Sequence, residues 1–320
     1  MMYMTMVYAF IFVFIICLLG TAFIDALFRF LGKRGYLGNL YPNVRGGIPR
    51  GVGIVPFAIL ALYFLPKFNN LVLIIGIFAF IDDIFGRRKF NFINIEIGQL
   101  LRGIGMILVM VVGFIHGLGF SSILIALLIQ PMNISDMQPG SCAMVTMVMS
   151  IVTVIFMYLI GTAPIDELPA TYTPLLIFVV CLAYCPLDFA GKIMMGEVGN
   201  HSFAVALGVA FYLTGGFWWT VLLSIFTVCF IAFVRRNTLK VFFRQRLRIL
   251  DPTFGDYIMD VLTGGGLGDL LRKWIFRDKQ YEVNNDILIS LGFRRLLFNP
   301  HAMHNDMFIP KDQPSLRGNY

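Results

Sequence analysis

The sequence predicts an all-α polytopic integral membrane bundle of about nine transmembrane helices, with its N-terminus outside and its C-terminus cytoplasmic. Three observations carry that expectation. Of 320 residues, 58% are hydrophobic and only 13% charged, with a mean hydropathy of +0.80. Soluble domains carry about a quarter charged residues, so a soluble globule, a disordered chain and a nucleic-acid binder are all excluded. The apolar residues lie in continuous runs rather than alternating, and lipid offers no partner to an open strand edge, which excludes sheets. At about 20 apolar residues per crossing, the apolar content suffices for roughly nine helices. Finally, the basic residues gather in alternate loops, as the positive-inside rule requires.

Nine runs follow one another along the chain, at about 6–27, 51–65, 71–85, 101–115, 119–131, 142–161, 172–186, 203–215 and 217–234. The first has no basic n-region and no small-residue cleavage site, so it reads as a retained span rather than a signal peptide. Runs four and five are short, and flanking Gly, Ser and His residues extend them. With the N-terminus outside, the loops 28–50, 86–100, 132–141 and 187–202 and the tail from Arg235 are cytoplasmic, and all but one of the 25 Lys and Arg residues fall inside. Lys67 is the exception, and Asp166 and Glu167 share the outer face. The net charge of +7 is therefore read as basic cytoplasmic loops.

The composition changes after residue 236. The stretch 237–320 is a cytoplasmic tail, mixed and charged, whose pieces 239–250 and 267–276 are basic and amphipathic, suited to an anionic leaflet. The run Gly264-Gly265-Gly266-Leu267-Gly268 lacks a Walker lysine-serine pair and a preceding strand, and reads as a hinge. Cys17, Cys142, Cys181, Cys185 and Cys229 show no zinc or redox spacing and read as buried, inert thiols.

Few residues in such a chain can do chemistry. Asp82 and Asp83 close the third run, just before Arg87, Arg88 and Lys89. Adjacent carboxylates at a membrane face are costly without cations. They serve either as an interfacial cap paired to those bases, or as a metal ligand beside a proton acceptor. Asn133 and Asp136, in the next inner loop, either cap the following helix or hydrogen-bond a sugar or base. The fourth inner loop holds Lys192 and Glu197 among glycines that allow close backbone approach. The first offers Arg45-Gly46-Gly47-Ile48-Pro49-Arg50-Gly51, basic and glycine-rich, suited to phosphate oxygens. Carboxylates for Mg²⁺ together with bases for phosphate point to phosphoryl transfer. A transporter places its carboxylates at mid-membrane depth, which this pattern does not.

In order, these segments resemble the polyprenyl-phosphate N-acetylhexosamine-1-phosphate transferases, the family that includes phospho-N-acetylmuramoyl-pentapeptide transferase. Phe80-Ile81-Asp82-Asp83 resembles the family's paired-aspartate motif, and Asn133-Ile134-Ser135-Asp136 the start of its Asn-x-x-Asp-Gly loop. The segment from Lys192 to Gly199 is similar to its Lys-x-Phe-Met-Gly-Asp-x-Gly stretch, and the segment from Arg45 to Gly53 to the one before its second helix. The resemblance covers roughly residues 20–236. It implies Mg²⁺-dependent transfer (with Mn²⁺ as a substitute) of a sugar 1-phosphate from a UDP-sugar to a polyprenyl phosphate, releasing UMP, in cell-envelope glycan synthesis. It implies Asp82 and Asp83 as catalytic groups near the acceptor phosphate, Glu197 and Asp82 as metal ligands, and Asn133, Asp136, Lys192, Arg45, Arg50, Arg87 and Arg88 as substrate-binding residues. The expected setting is the cytoplasmic membrane, as a multi-pass protein or homodimer.

The chain also departs from the pattern. Glu197 stands where the family has Asp, Pro139 replaces a second aspartate, and the late histidine-rich loop has no counterpart, His301 and His304 lying too far along the chain. An alternative expectation is therefore a catalytically degenerate member that binds lipid phosphate as a scaffold in envelope assembly.

Overall fold

The computed structural model describes residues 2–42, 46–86, 88, 96–163, 168–277, 279–299 and 302. Among them the regular elements are all helices and there is no strand, and an isolated bridge joins Arg50 to Met194. It forms two compact units, Met1–Arg235 and Arg236–Tyr320.

The first unit is a bundle around one helix. α1 (Met2–Lys33) is 32 residues long, about 48 Å at 1.5 Å per residue, which exceeds the roughly 30 Å hydrocarbon core. Its side chains Val13, Cys17, Thr21 and Phe28 are buried, while Tyr8, Phe12, Leu19 and Phe23 are exposed, as lipid-facing residues must be. α2 (Ile54–Tyr63) and α3 (Asn69–Phe85) form a hairpin, followed by α4 (Ile97–Gly113). A π-helical turn at Phe114–Leu118, with Gly117 at φ +87°, ends α4 and leads into the short helices α5 (Ser121–Leu127) and α6 (Ile129–Ser135). α7 (Ser141–Ile160) and α8 (Tyr172–Phe189) pack on each other, and α8 packs on α1, where the Cys17 thiol donates to the Val180 carbonyl at 3.4 Å.

The central helix is α9 (Gly196–Gly215), which packs against α2, α3, α5, α6, α7 and α8. Val198 through Ala210 are buried without a break. Its small residues make that possible. A Cβ on Gly53 at the start of α2 would fall 2.6 Å from the Gly199 Cα, so the two backbones meet only because both positions lack side chains. α10 (Phe217–Phe242) then carries the chain into the second unit.

Five segments are long and apolar enough to cross a membrane: Met6–Lys33, Ile97–Leu118, Ser141–Ile160, Tyr172–Phe189 and Phe217–Leu247, with mean hydropathies from 1.7 to 2.7. This is the signature of a membrane protein. The other four of the nine expected runs fall short of that length or that hydropathy. α2 has 10 residues, about 15 Å and half the hydrocarbon thickness. The run at 119–131 divides into two seven-residue helices. α3 has 17 residues and ends on two aspartates, and α9 is sheathed by protein on all sides.

The second unit begins within α10 and continues through a π-helical turn, Phe243–Leu247, where Phe243 packs edge-on against Tyr257. In the piece 239–250 the stripe Leu239, Phe243, Leu247 is buried, whereas Val241, Phe242 and Leu250 are exposed. α11 (Phe254–Thr263) opens with a capping box: the Asp256 amide donates to Thr253 Oγ1 at 3.2 Å, and the Thr253 amide to Asp256 Oδ2 at 2.9 Å. α12 (Gly266–Phe276), α13 (Asp286–Ser290) and α14 (Phe293–Leu296) complete it. Charge holds this unit together. Arg294 pairs with Asp256 at 2.9 Å, and buried Arg295 with Asp260 at 2.5 Å.

Candidate functional site

The polar residues of the first unit converge because one backbone seam joins two distant loops. The Met194 amide donates to the Pro49 carbonyl at 2.8 Å, the Val52 amide to Met194 at 3.3 Å, and the Gly53 amide to Met195 at 3.0 Å. The seam delivers Arg50 from one side and the first turn of α9 from the other. Asp83, in the last turn of α3, locks the junction. Its Oδ1 accepts from the Glu197 amide and from Arg50 Nε, both at 3.0 Å, and its Oδ2 accepts from the Val198 amide at 3.0 Å. A fully buried carboxylate thus satisfies the orphan N–H groups of α9 and complements its dipole. Gly196 has φ +74°, and a Cβ there would lie 2.6 Å from Asp83 Oδ2, so glycine is required on both counts.

Asp82 turns the other way. Its Oδ1 lies over Gly98 in the first turn of α4, where a Cβ would approach to 1.8 Å, and its Oδ2 stands 3.4 Å from Arg102 Nη2. The same Arg102 nitrogen reaches Glu197 Oε2 at 2.8 Å. Glu197 is also 3.5 Å from Arg50 Nη2, through Oε1, and 3.1 Å from His201 Nε2, one helical turn further along α9. Asn133 at the end of α6 completes this shell. With its amide nitrogen facing Glu197, it donates to Oε2 at 3.0 Å and accepts from Arg102 Nη1 at 2.7 Å. The carbonyl of Ile134, one residue on, accepts from buried Arg235.

Beside this cluster lies a second carboxylate pocket. Asn200 Nδ2 donates to Asp136 Oδ2 at 3.3 Å. Burial, and then the neighbouring Asp188, push the Asp136 carboxyl well above its ordinary range, while the Asn200 hydrogen bond opposes them. Asp188 is buried in the last turn of α8, and neither its Oδ2 nor Asn200 Oδ1 has a partner among the described residues.

Five of the expected site residues therefore come together: Arg50, Asp82, Asp83, Asn133 and Glu197, with Asp136 adjoining through Asn200. Lys192 does not join them. It is exposed, and its carbonyl accepts from Arg29 Nη2 at 2.5 Å. Arg88 is exposed as well and contributes its carbonyl to the Ile97 amide at 2.9 Å. Arg45 and Arg87 lie outside the described residues.

Four members escaped the sequence reading. Arg102 sits second in an apolar run, and its isolation there was the available signal, since a charge at such a position demands a partner. His201 stands four residues after Glu197, the spacing that puts two side chains on one helix face. Asn200 and Asp188 gave no distinguishing pattern.

This arrangement of two guanidiniums among three carboxylates can do two things. The guanidiniums offer forked donors matched to phosphate oxygens. The carboxylates offer hard oxygen donors of the kind a divalent ion takes, and Asp82 and Glu197 share one cationic nitrogen of Arg102. Among the described residues no three His, Cys, Asp or Glu side chains form a metal cage. Two carboxylates completed by substrate phosphates are the usual Mg²⁺ arrangement, so the donor set fits that ion. No protein-family model matches the chain, and no curated protein matches it. What stands is an all-helical membrane protein with a buried cluster of arginines and carboxylates.

Proposed function

We propose that this protein is an Mg²⁺-dependent transferase that moves a sugar 1-phosphate, of N-acetylhexosamine type, from a UDP-sugar to a polyprenyl phosphate at the cytoplasmic face of the cell membrane. The observation that carries the reading is the convergence of Arg50, Asp82, Arg102, Asn133 and Glu197 from five separate segments. The order of motifs described above supports the same reaction. Asp82 and Glu197 would hold Mg²⁺, which when bound supplies neutralisation of the diphosphate and polarisation of the transferred phosphoryl group.

The chain's own residues account for the rest. Arg50 and Arg102 exchange their carboxylates for phosphate oxygens as substrate enters, and so offset the charge of two anionic reactants. Asp82 takes the remaining proton of the lipid phosphate. A lipid phosphate oxygen attacks the phosphorus that bears the sugar, the bond to the UMP oxygen breaks, and UMP leaves with the electron pair. Asn133 orients Glu197 and Arg102 by bonding both. Asp83 belongs to the scaffold, since its oxygens are engaged by α9 and Arg50.

A second reading, a catalytically silent scaffold that binds lipid phosphate, is favoured by the same saturation: Glu197 lies between two guanidiniums. Incubating the purified protein with polyprenyl phosphate, Mg²⁺ and a panel of UDP-N-acetylhexosamines decides between them. Lipid-dependent UMP release is expected. A silent panel with retained polyprenyl-phosphate binding would leave the scaffold, and silence without binding would overturn both readings.

A further inference from the structure

α12, in the second unit, turns apolar side chains outward in its second half. Arg272 is buried, its Nε donating to the Leu296 carbonyl at 3.0 Å and its Nη2 to Thr263 Oγ1 at 2.5 Å. Leu271, Trp274 and Ile275, spaced to share one face, are 59%, 79% and 55% exposed. A helix facing water carries the opposite order, charge outward and apolar inward. With Arg272 fixed by α14 and by the end of α11, α12 cannot rotate to hide its apolar face.

The setting of that face indicates what covers it. Lys273, Arg277 and Lys279 are all exposed around it. Arg236, Lys240, Arg244, Arg246 and Arg248 precede the unit's first acid, Asp251. The unit is also joined without a linker to a helix whose apolar segment runs to Leu247. An exposed tryptophan beside aliphatic residues, ringed by lysine and arginine, matches the chemistry of the bilayer interface, where the ring sits at headgroup depth and the cations meet anionic lipid. A soluble protein groove offers the apolar half of that match but not the surrounding negative charge.

We propose that the Leu271–Trp274–Ile275 face of α12 inserts into the headgroup region of an anionic phospholipid surface. The second unit is thereby a lipid-reading module, separate from the proposed chemistry of the first.

The chain contains three tryptophans, so replacing Trp218 and Trp219 with Phe leaves Trp274 as the sole indole in the full-length protein. This variant is reconstituted into nanodiscs of phosphatidylcholine, alone or with about a third phosphatidylglycerol, bearing bromine high on the acyl chains. The expected result is severalfold quenching of Trp274 by lipid bromine and protection from aqueous acrylamide, both stronger with phosphatidylglycerol. Adding Leu271→Asp and Ile275→Asp, at two exposed positions that the fold does not need, is expected to abolish the quenching and restore acrylamide access. Full acrylamide access with no bromine quenching overturns the proposal and leaves a soluble partner as the occupant. Equal quenching in both lipids overturns it as well, because the basic ring would then have no role.

Discussion

Asp82 and Asp83 are neighbours in sequence, yet the structure predicts that they fail differently when changed to asparagine. Asp83 accepts three hydrogen bonds, two from the first turn of α9 and one from Arg50. Asparagine keeps one acceptor oxygen and turns an amine toward a donor, so one buried N–H of α9 is left unsatisfied, at about 1–3 kcal/mol. Arg50 also loses its closest counter-charge. Breaking a buried pair costs about 3–5 kcal/mol, toward the lower end here because Arg50 is part-exposed. Together these give a loss of about 4 kcal/mol for Asp83→Asn, a fall in Tm of roughly 10 °C for a unit of this size. Asp82 makes one side-chain contact, at 3.4 Å, which an amide oxygen can keep, so Asp82→Asn should cost less than about 1 kcal/mol while abolishing UMP release. Cys17, Cys142, Cys181 and Cys185 are buried, whereas Cys229, expected to be buried as well, is only half-buried; in a Cys229→Ser background a thiol-reactive fluorophore therefore reports unfolding in detergent. If the two variants melt together, the assignment of Asp83 to the scaffold is wrong.

Further outcomes follow from the same geometry. Glu197→Gln should remove turnover and also lower Tm, because it takes a counter-charge from both Arg50 and Arg102. Glu197→Asp should also lose activity, since a shorter side chain no longer reaches both guanidiniums; retained activity would refute the bridging role. Arg102→Lys should reduce UMP release by about 100-fold or more, because an ammonium cannot serve Asp82, Glu197 and Asn133 at once; a kcat within a few-fold of the parent's would count against the site. Asp136 has a folded pKa raised above 3.8 by burial, so it contributes stability that is fully present below that value and lost as pH rises through the raised one. Asp136→Asn should therefore show a Tm that falls less than the parent's over that rise, and identical pH profiles would refute the assignment. Chelation with EDTA should stop UMP release and added Mg²⁺ should restore it, whereas turnover indifferent to chelation would remove the metal from the mechanism.

The helical class was legible because apolar composition and continuous runs are local properties that lipid constrains severely. Which runs form one long helix was not, because an apolar run does not show where the helix breaks, as it does within 119–131. α9 is apolar over much of its length, and its Gly, Ala and Ser positions serve close packing. At the site, Asp82 and Asp83 stood out because carboxylates ending an apolar run need an explanation. Nothing in the pair distinguished the one that caps α9 from the one that faces Arg102, since their directions are fixed by two helices, α4 and α9, that lie far apart in sequence. Arg102 escaped for the opposite reason, its charge diluted by the run around it. Lys192 looked equivalent to Arg50 in sequence, both being basic and flanked by glycine, and only the register of the seam through Pro49 and Met194 separates them.

That seam has a consequence for biosynthesis. Residues 49–53 emerge from the ribosome some 140 residues before their partners at 194–195. Until α9 arrives, Asp83 has no helix end to cap, Arg50 has no fixed counter-ion, and the space at the centre of the bundle has no occupant. Contacts so distant in sequence form late. The early helices must therefore insert and wait as an incomplete ring, with their charges kept in water or paired to one another. α9, too polar at its start to be stable in lipid alone, enters as the closing piece. Chains that end before Gly196 lack the helix against which α2, α3, α5, α6, α7 and α8 all pack.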